Sequence, residues 1–460
     1  MAEPRNPSRP PLHAVLPPLV LGTATFNTQY VSDPHSMPYR DIVARALSLG
    51  INAFDTSPYY GPSETLLGTA LDALMNPPTT TTTTTTTETT NNTDTNTTAT
   101  PPTVPLPRSS FFLITKAGRI APTEFDYSPS WIRYSILRSL QRLHTPYLDL
   151  VYMHDVEFAT PAEVVGAVRA LRRLRDEEGV VRYVGISGFP VATLCALAER
   201  VRAETGEPLD AVLSYGHFTV QNRVLGLPWV GGEGEEKEEG EAGLAPLTRF
   251  KKAGVDVVLN ASILGMGLLT SRGIPADPPA PDEGGAGESL LANWHPSPPE
   301  LRVACKTLAG ISAAAGERLE SVAIRWAIAE WARVAAMAGL GVDITAPGVG
   351  PQKVGVTVCG VKTIAELEET VAEWRGVLSS LTFGPSDELY GSVRQEKVLN
   401  LVRNEFWPAL QSWLDYVWDS PGPDFVNTRQ EVDRGTIPDD GIVAAFEKAR
   451  QGTQPTANTR

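Results

Sequence analysis

The chain has 460 residues, 42% of them hydrophobic, and carries a formal net charge of −14. This length fits one elaborated domain or two ordinary ones, because barrel domains run from about 250 to over 400 residues once insertions are counted. The acidic balance argues against nucleic-acid and anionic-membrane partners, and the sequence lacks the run of roughly 20 apolar residues that a membrane span needs.

The chain begins with a proline-rich stretch. Its first 22 residues contain six prolines and no continuous apolar core before a small-residue cleavage site, so they do not resemble a secretory signal. Cys195, Cys305 and Cys359 are far apart and odd in number, which fits neither a disulfide framework nor a zinc site. We therefore expect a cytoplasmic protein with reduced cysteines and no bound metal.

Short apolar or β-branched runs alternate with longer amphipathic stretches along most of the chain. The eight predicted strands are Leu19–Thr23, Asn52–Asp55, Phe111–Lys116, Leu148–His154, Arg182–Ser187, Ala211–Tyr215, Asp256–Ala261 and Gly355–Gly360. The predicted helices are 39–49, 62–75, 130–143, 161–177, 190–204, 244–253, 300–336 (two helices) and 363–379. This alternation predicts an α/β protein with a parallel sheet, and eight units favour a closed barrel over an open doubly wound sheet.

Three low-complexity segments interrupt the alternation. Residues 76–107 include nine consecutive threonines, Thr79 to Thr87, and cannot bury enough apolar surface to offset the entropy lost on ordering. Residues 231–243 are rich in Gly and Glu, and residues 275–287 are rich in Pro and Gly. We predict a disordered insertion at 76–107 and flexible loops at the other two.

The chain continues well beyond the last predicted strand and its helix. A helix-like run with Trp, Leu and Phe, Glu396–Trp418, is expected to pack on the barrel, and the polar residues after it are expected to form a frayed end. The predicted organisation is one barrel domain, residues 1–380, followed by a C-terminal helical extension and tail, residues 381–460.

Three predicted strands end in residues that can take part in proton transfer. Asp55 ends the second strand and is followed by Tyr60 in a turn, Lys116 ends the third strand and His154 ends the fourth. Strand C-termini and the loops after them form the active face of a barrel, so we expect these four side chains to meet. Taken singly, each could equally be a helix cap, a solvated lysine or a packed wall residue.

The pattern D-x-x-x-x-Y-G-x-S-E, a strand-final T-K and D-x-x-x-x-H-D together resemble the catalytic tetrad of aldo-keto reductases. The resemblance extends from about Leu19 to Val371 and implies a single (β/α)₈ TIM barrel that transfers hydride with a nicotinamide cofactor. Tyr60 would transfer the proton, and a neighbouring Lys116 would lower its pKa, which is near 10 when unperturbed. Asp55 would hold the lysine and His154 would orient the substrate oxygen.

The same resemblance implies cofactor contacts at ten further positions. They are Gly22, Thr23, Ala24, Ser187, Ser262, Leu264, Met266, Gly360, Glu366 and Glu369. Two positions depart from the family pattern, since Gly188 replaces an asparagine that holds the carboxamide and Ala261 replaces an aromatic that stacks on the nicotinamide. Glu366 stands where arginine is common, and its carboxylate would repel a 2′-phosphate. We therefore predict NAD rather than NADP, with Lys362 as the residue that favours NADP.

The sequences at 21–26, L-G-T-A-T-F, and 261–270, A-S-I-L-G-M-G-L-L-T, resemble the sugar-oxidising branch of that family, the D-arabinose 1-dehydrogenases and L-galactose dehydrogenases. This implies oxidation of an aldose at C1 to the lactone, with hydride passing to NAD and a proton to Tyr60. Residues on the active-face loops that could contact the sugar, or pack, are Phe26, Tyr59, Trp131 and His217.

Two other functions stay open. The first is an NADPH-dependent reductase of aldehydes, ketones or pyridoxal, against which Glu366 argues. The second is a regulatory subunit that binds nicotinamide nucleotide without turning it over, against which the intact tetrad argues.

Overall fold

Eight parallel strands close into a barrel. The computed structural model describes six stretches of the chain, residues 9–77, 104–228, 245–276, 289–345, 352–380 and 393–452. The barrel strands, here β1 to β8 in chain order, are Leu19–Gly22, Ala53–Asp55, Phe112–Ala117, Leu148–Met153, Val181–Gly188, Ala211–Tyr215, Val257–Ala261 and Val356–Gly360. Each strand pairs with its neighbours in sequence, and β1 pairs with β8 to close the ring. The predicted (β/α)₈ barrel is confirmed, and each strand end agrees within one residue.

Helices surround the barrel. In chain order, α1 to α13 are Tyr39–Ser48, Ser63–Met75, Pro129–Arg142, Pro161–Arg173, Val191–Thr205, Pro246–Lys252, Ser289–Ala292, Pro299–Ala314, Leu319–Met337, Ile364–Ser380, Val393–Leu401, Trp407–Leu410 and Ile442–Gly452. Two short antiparallel hairpins lie outside the barrel, Arg119–Ala121 with Glu124–Phe125 and Val342–Ile344 with Gln352–Val354. Within the six described stretches, no helix is long and apolar enough to cross a membrane, and no group of three His, Cys, Asp or Glu side chains could hold a metal.

The helices that follow β3 and β4 begin at well-defined caps. The hydroxyl of Ser128 accepts a hydrogen bond from the backbone N–H of Trp131 at the start of α3. Thr160 and Glu163 form a reciprocal capping box at the start of α4. These caps fix where the two connecting loops end, and both loops lie on the active face.

The strands β2, β3 and β4 are buried along their whole length. This is expected of parallel strands covered by helices on one face and by the barrel interior on the other. Asp55 and Lys116 at their C-terminal ends are therefore charged residues in a buried setting, which is costly unless they are paired.

The C-terminal extension packs on the barrel and returns to its active face. Arg325 on α9 donates a 2.9 Å hydrogen bond to Gln395 on α11, and the Trp407 indole donates to the Val220 carbonyl at 3.2 Å. Further along, Asn427 exchanges two hydrogen bonds with the backbone of Phe125. The predicted packing of the helical run is thus observed, and the predicted frayed end is wrong for residues 419–452.

Most of each predicted low-complexity segment lies outside the described residues. This applies to 78–103 of the predicted insertion 76–107, to all of 231–243 and to 277–287 of the third segment. Their disorder stays a prediction.

Candidate active site

The structure brings the four predicted proton-transfer residues together at the C-terminal end of the barrel. Lys116 Nζ lies 2.5 Å from Asp55 Oδ1 and 3.0 Å from the Thr56 carbonyl oxygen. The same Nζ atom is 4.9 Å from the centroid of the Tyr60 ring. The rings of Tyr60 and His154 are 5.5 Å apart and nearly perpendicular, at 87°. The phenol therefore lies between a buried cation and an imidazole.

A tight turn after β2 presents Tyr60. Its backbone N–H donates to the Ser57 carbonyl at 3.0 Å, and its own carbonyl accepts from the N–H of Ser63 at 3.1 Å, where α2 begins. Between them Gly61 has a φ of 56°, in the left-handed region that favours glycine. A Cβ at this position would also lie only 3.2 Å from Asn27 Oδ1. The turn therefore requires glycine at position 61, directly after Tyr60.

Lys116 and Asp55 form a buried ion pair, with side chains only 2% and 6% exposed. Burial raises the pKa of the Asp55 carboxyl, and the charge of Lys116 opposes that rise. Burial also raises the pKa of the Tyr60 phenol well above its ordinary value, and the charges of Asp55 and Asp155 raise it further. The predicted lowering of this pKa by Lys116 is not observed, because burial and the two nearby carboxylates outweigh the effect of the ammonium.

His154 is a neutral imidazole in this site. Burial lowers its pKa to about 3, against the opposing charge of Asp155. Its Nδ1 lies 3.0 Å from Ser57 Oγ, which itself accepts from the N–H of Tyr59, and its Nε2 lies 3.5 Å from Asp155 Oδ2. When Ser57 donates to Nδ1, Nε2 carries the proton. Its contact with Asp155, at 3.5 Å, is too long for a strong hydrogen bond, so the Nε2–H group is available to a substrate oxygen.

One cavity of about 1250 Å³ contains the tetrad and nine of the ten predicted cofactor positions. This exceeds the volume of roughly 300–1,000 Å³ typical of a small-ligand pocket, so there is room for a dinucleotide and a second small molecule. The tenth position, Thr23, is buried behind the wall, where its hydroxyl donates to the Asp55 carbonyl at 3.0 Å. Thr23 therefore supports the strand end rather than the cavity surface.

The loop after β7 carries unusual backbone angles. Ser262 and Met266 are non-glycine residues with φ values of 55° and 54°, and both line the cavity. Such left-handed residues cost energy and are concentrated at ligand clamps. The His295 ring lies 3.0 Å from the Gly265 carbonyl and holds this loop from outside. Within the loop, the N–H groups of Gly265 and Gly267 donate to the carbonyls of Ser262 and Leu264, which fixes its shape beside the cavity.

The carboxyl group of Glu157 lies where a side chain at position 188 would be. Its Oε1 accepts from the N–H of Phe189 and from the hydroxyl of Ser420, both at 3.1 Å. A Cβ at Gly188 would overlap its Oε2. Burial, with a contribution from Asp155, raises the pKa of Glu157 to about 8. Glycine at 188 thus makes room for a buried carboxyl that contacts the C-terminal segment.

The second departure from the family pattern, Ala261, also has a structural counterpart. Tyr215 at the end of β6 pairs in register with Ala261 at the end of β7, and both line the cavity. An aromatic ring is therefore present on the adjacent strand instead of at position 261.

Three carboxylates, Glu320, Glu366 and Glu369, line the far end of the cavity near the start of α10, together with the cations Arg318 and Lys362. Glu366 accepts a 2.7 Å hydrogen bond from the backbone N–H of Lys362, while its own N–H donates to the Thr363 hydroxyl. Glu369 accepts from Arg318 at 3.0 Å. The Arg318 charge is thus neutralised by Glu369, and the Glu366 carboxylate is fixed at the N-terminus of α10.

Of the four predicted sugar contacts, Tyr59 lines the cavity and the other three pack elsewhere. Phe26 is fully buried in the core. The His217 ring is also buried and lies 4.2 Å from that of Phe189, and the Trp131 ring is covered by the Arg429 guanidinium at 4.6 Å. Loop position alone did not distinguish a cavity residue from a packing residue.

Motif reasoning missed four other residues of the cavity wall, Arg119, Asp155, Tyr215 and Trp418. Asp155 directly follows His154, and Arg119 lies three residues beyond Lys116, so proximity to the tetrad was a usable signal for both. Tyr215 ends a predicted strand, as Asp55 does. Trp418 comes from the C-terminal extension and had no such signal.

Comparison with known proteins gives one family. The model of the Aldo/keto reductase family matches residues 18–390. D-arabinose 1-dehydrogenase of Saccharomyces cerevisiae is 37% identical over 321 residues, which is 69% of this chain and 77% of the yeast protein. L-galactose dehydrogenase of Arabidopsis thaliana is 29% identical over 370 residues, 80% of this chain and 86% of the plant protein.

Among solved structures, the glycerol dehydrogenase of Gluconobacter oxydans resembles this chain with a TM-score of 0.50 and 18% sequence identity. The match covers 89% of this chain and 95% of the bacterial one, and at that identity it supports the fold alone.

Proposed function

This chain belongs to the aldo/keto reductase family of oxidoreductases, and on that premise we propose that it oxidises an aldose at C1 to the lactone with NAD as hydride acceptor. The observation that carries the proposal is the convergence of Tyr60, the Lys116–Asp55 pair and a neutral His154 on one large cavity. The names of two relatives, D-arabinose 1-dehydrogenase and L-galactose dehydrogenase, support an aldose as the substrate class.

Two features of the cavity fit a dinucleotide. At one end the loop after β7 lines the cavity with Ser262, Leu264 and Met266, and we place the pyrophosphate there. At the other end Gly360 and Glu366 line the cavity at the end of β8 and the start of α10, and we place the adenosine ribose beside them. When bound, NAD supplies the acceptor for the hydride that leaves C1.

The chain's own residues handle the proton. As the C1–H bond breaks, Tyr60 takes the proton of the C1 hydroxyl, and the oxygen becomes the carbonyl of the lactone. His154 donates its Nε2–H to that oxygen and orients it, and burial keeps this imidazole neutral. The Lys116 ammonium lies 4.9 Å from the centroid of the phenol ring, but its pairing with Asp55 leaves little net charge to stabilise the phenolate. Asp55 fixes the lysine and prevents an unpaired buried charge.

NAD is favoured over NADP by the position of Glu366. Its carboxylate is hydrogen-bonded to the N-terminus of α10, the place where an anion would otherwise be attracted. A 2′-phosphate there would meet this negative charge, whereas a ribose diol can donate to it. Lys362 is the opposing feature, because its side chain lines the same end.

The test is the initial rate of NAD and of NADP reduction with D-arabinose, L-galactose, L-fucose and an aliphatic alcohol. We expect reduction of NAD with an aldose, and a loss of about 10²–10⁴-fold in kcat for Tyr60→Phe, the range that general acid–base groups contribute. Tyr39→Phe, on the outer helix α1, is the matched control and should behave as wild type.

Two outcomes would contradict the proposal. Carbonyl reduction that uses only NADPH would refute both the direction of the reaction and the role given to Glu366. Tight binding of NADH without turnover on any substrate would favour a regulatory nucleotide-binding function.

A further inference from the structure

A buried charged pair lies beside the reaction centre and neither gives nor takes the proton in the transfer described above. Arg119, in the hairpin after β3, places Nη1 2.5 Å from Oδ2 of Asp155, the first residue after His154. Their side chains are 16% and 2% exposed, and both line the cavity next to Tyr59. The pair is therefore close to where a substrate held by His154 must lie.

Three observations indicate that this pair contacts a ligand as well as joining two loops. Asp155 has a φ of 53°, a conformation that costs energy for a non-glycine residue. The Arg119 guanidinium lies over the Tyr59 ring, with its central carbon 3.8 Å from the ring centroid. The Nε–H of Arg119 is buried and has no hydrogen-bond partner among the described residues. A rigid, desolvated donor without an acceptor is costly to maintain, which is typical of a group that meets a ligand.

The chemistry of the pair suits vicinal hydroxyl groups. A hydroxyl can accept from a guanidinium N–H and donate to a carboxylate at the same time, so an Arg–Asp pair can engage neighbouring hydroxyls on one face of a polyol. A substrate without hydroxyl groups would exclude water from the guanidinium and the carboxylate without offering them hydrogen bonds. Sites built to hydrogen-bond a substrate hydroxyl reject analogues that lack it far more strongly than apolar pockets discriminate between alkyl groups.

We propose that Arg119 and Asp155 bind the vicinal hydroxyl groups on C2 and C3 of the aldose, and so select polyhydroxylated substrates over plain alcohols and aldehydes. This inference rests on the proposed function, since it places the C1 oxygen at His154. Asp155, 3.5 Å from His154 Nε2, is then the residue that joins recognition of the sugar to orientation of its reacting oxygen.

The experiment compares two four-carbon aldehydes, D-erythrose and butanal, reduced by NADH or NADPH. The measured quantity is the kcat/KM for D-erythrose divided by the kcat/KM for butanal. Wild type should favour erythrose, and Arg119→Met should lower the ratio by about 10²-fold, on the scale of a lost substrate hydrogen bond. Arg45→Met is the matched control, because that arginine forms an exposed ion pair with Glu368, and it should keep the wild-type ratio.

Arg119→Met leaves the Asp155 carboxylate buried without its partner, so folding is checked by the thermal midpoint and by NADH binding. Arg119→Lys is the second variant. It keeps the charge but removes Nε–H and the planar fork, and it should lower the ratio by about 10-fold.

The inference fails if wild type shows no preference for erythrose or reduces neither aldehyde. It also fails if the folded variants keep the wild-type ratio, or if both aldehydes lose activity equally. Failure of the proposed function is a separate result, namely a wild type that reduces carbonyls but oxidises no aldose with NAD.

Discussion

The Tyr60 phenol must lose its proton before it can act as a base. Its pKa is raised by burial and by Asp55 and Asp155, and the net charge of the adjacent Lys116–Asp55 pair is close to zero. The buried phenol is thus protonated at neutral pH, which suits reduction. For oxidation the phenolate is needed, and its fraction increases as pH increases.

We therefore expect the kcat for aldose oxidation to rise with pH between about 6 and 10 without reaching a plateau, because a phenol pKa raised well above its ordinary value keeps the base form a small fraction that grows with pH throughout that range. His154 should not add a second ionisation to this pH profile, since its pKa of about 3 leaves the imidazole neutral throughout the range. Initial rates in a constant-ionic-strength buffer series measure this, and the residual rate of Tyr60→Phe should be flat. If kcat already reaches its plateau at pH 7, the phenol ionises at or below neutral pH, and the expected pH dependence is wrong.

Residues of the tetrad were predictable because each ends a strand or follows one directly. A parallel barrel gathers all its strand ends on one face, so sequence position translates into spatial proximity. Gly188 shows the limit of that reasoning. Its side-chain space is taken by Glu157, a residue 31 positions earlier, and no local pattern in the sequence indicates that contact.

The strands were placed within one residue of their observed ends because apolar runs bounded by turn residues have a strong signal in a sheet buried on both faces. The end of β5 also depends on the neighbouring loop, which limits the residue that fits at position 188. The Glu157 carboxyl, held by the N–H of Phe189, fixes the loop after β4 against the end of β5. Glycine at 188 is therefore part of how two elements fit together.

Gly188→Asn, which restores the residue usual in the family, should lower the free energy of unfolding by about 1–3 kcal/mol, since the added side chain must displace a buried carboxyl. Urea unfolding measures the change. Adding Glu157→Ala should recover part of the loss, with a coupling energy above about 0.5 kcal/mol. Gly166→Asn is the control, because nothing lies within 4 Å of a Cβ at that helical position. Additive effects of the two substitutions would contradict the proposed overlap.

At the scale of the whole molecule, the C-terminal segment completes the cavity. The Trp418 ring stacks on Phe189 at 4.7 Å, and residues 418–422 line the cavity wall. On one side this segment is held by Arg223, which pairs with Asp415 at 2.6 Å. Polar composition suggested a frayed end, but the polar groups bind the barrel, and such long-range pairing has no signature in a single sequence.

The other anchor of that segment is the contact between Asn427 and Phe125, where the Asn427 side chain accepts at 3.0 Å and donates at 2.9 Å. Arg429 adds an ion pair with Asp126 at 3.3 Å. If these contacts hold the wall in place, ending the chain after Val426 should raise KM for the aldose by about 10-fold while KM for NAD changes little, because the cofactor end of the cavity is built by β8, α10 and the loop after β7.

Steady-state kinetics with each substrate varied in turn, together with the thermal midpoint, measure this effect. Asn427→Ala is the milder variant. Like the truncation, but to a smaller extent, it should raise KM for the aldose and lower the thermal midpoint, since it removes two hydrogen bonds worth about 1 kcal/mol each. Gln430→Ala is the control in the same segment, because that side chain is exposed and makes one long hydrogen bond of 3.4 Å to Thr428. Equal increases in both KM values would mean that the tail stabilises the barrel as a whole, and would remove its assigned role as the anchor of the sugar-binding wall.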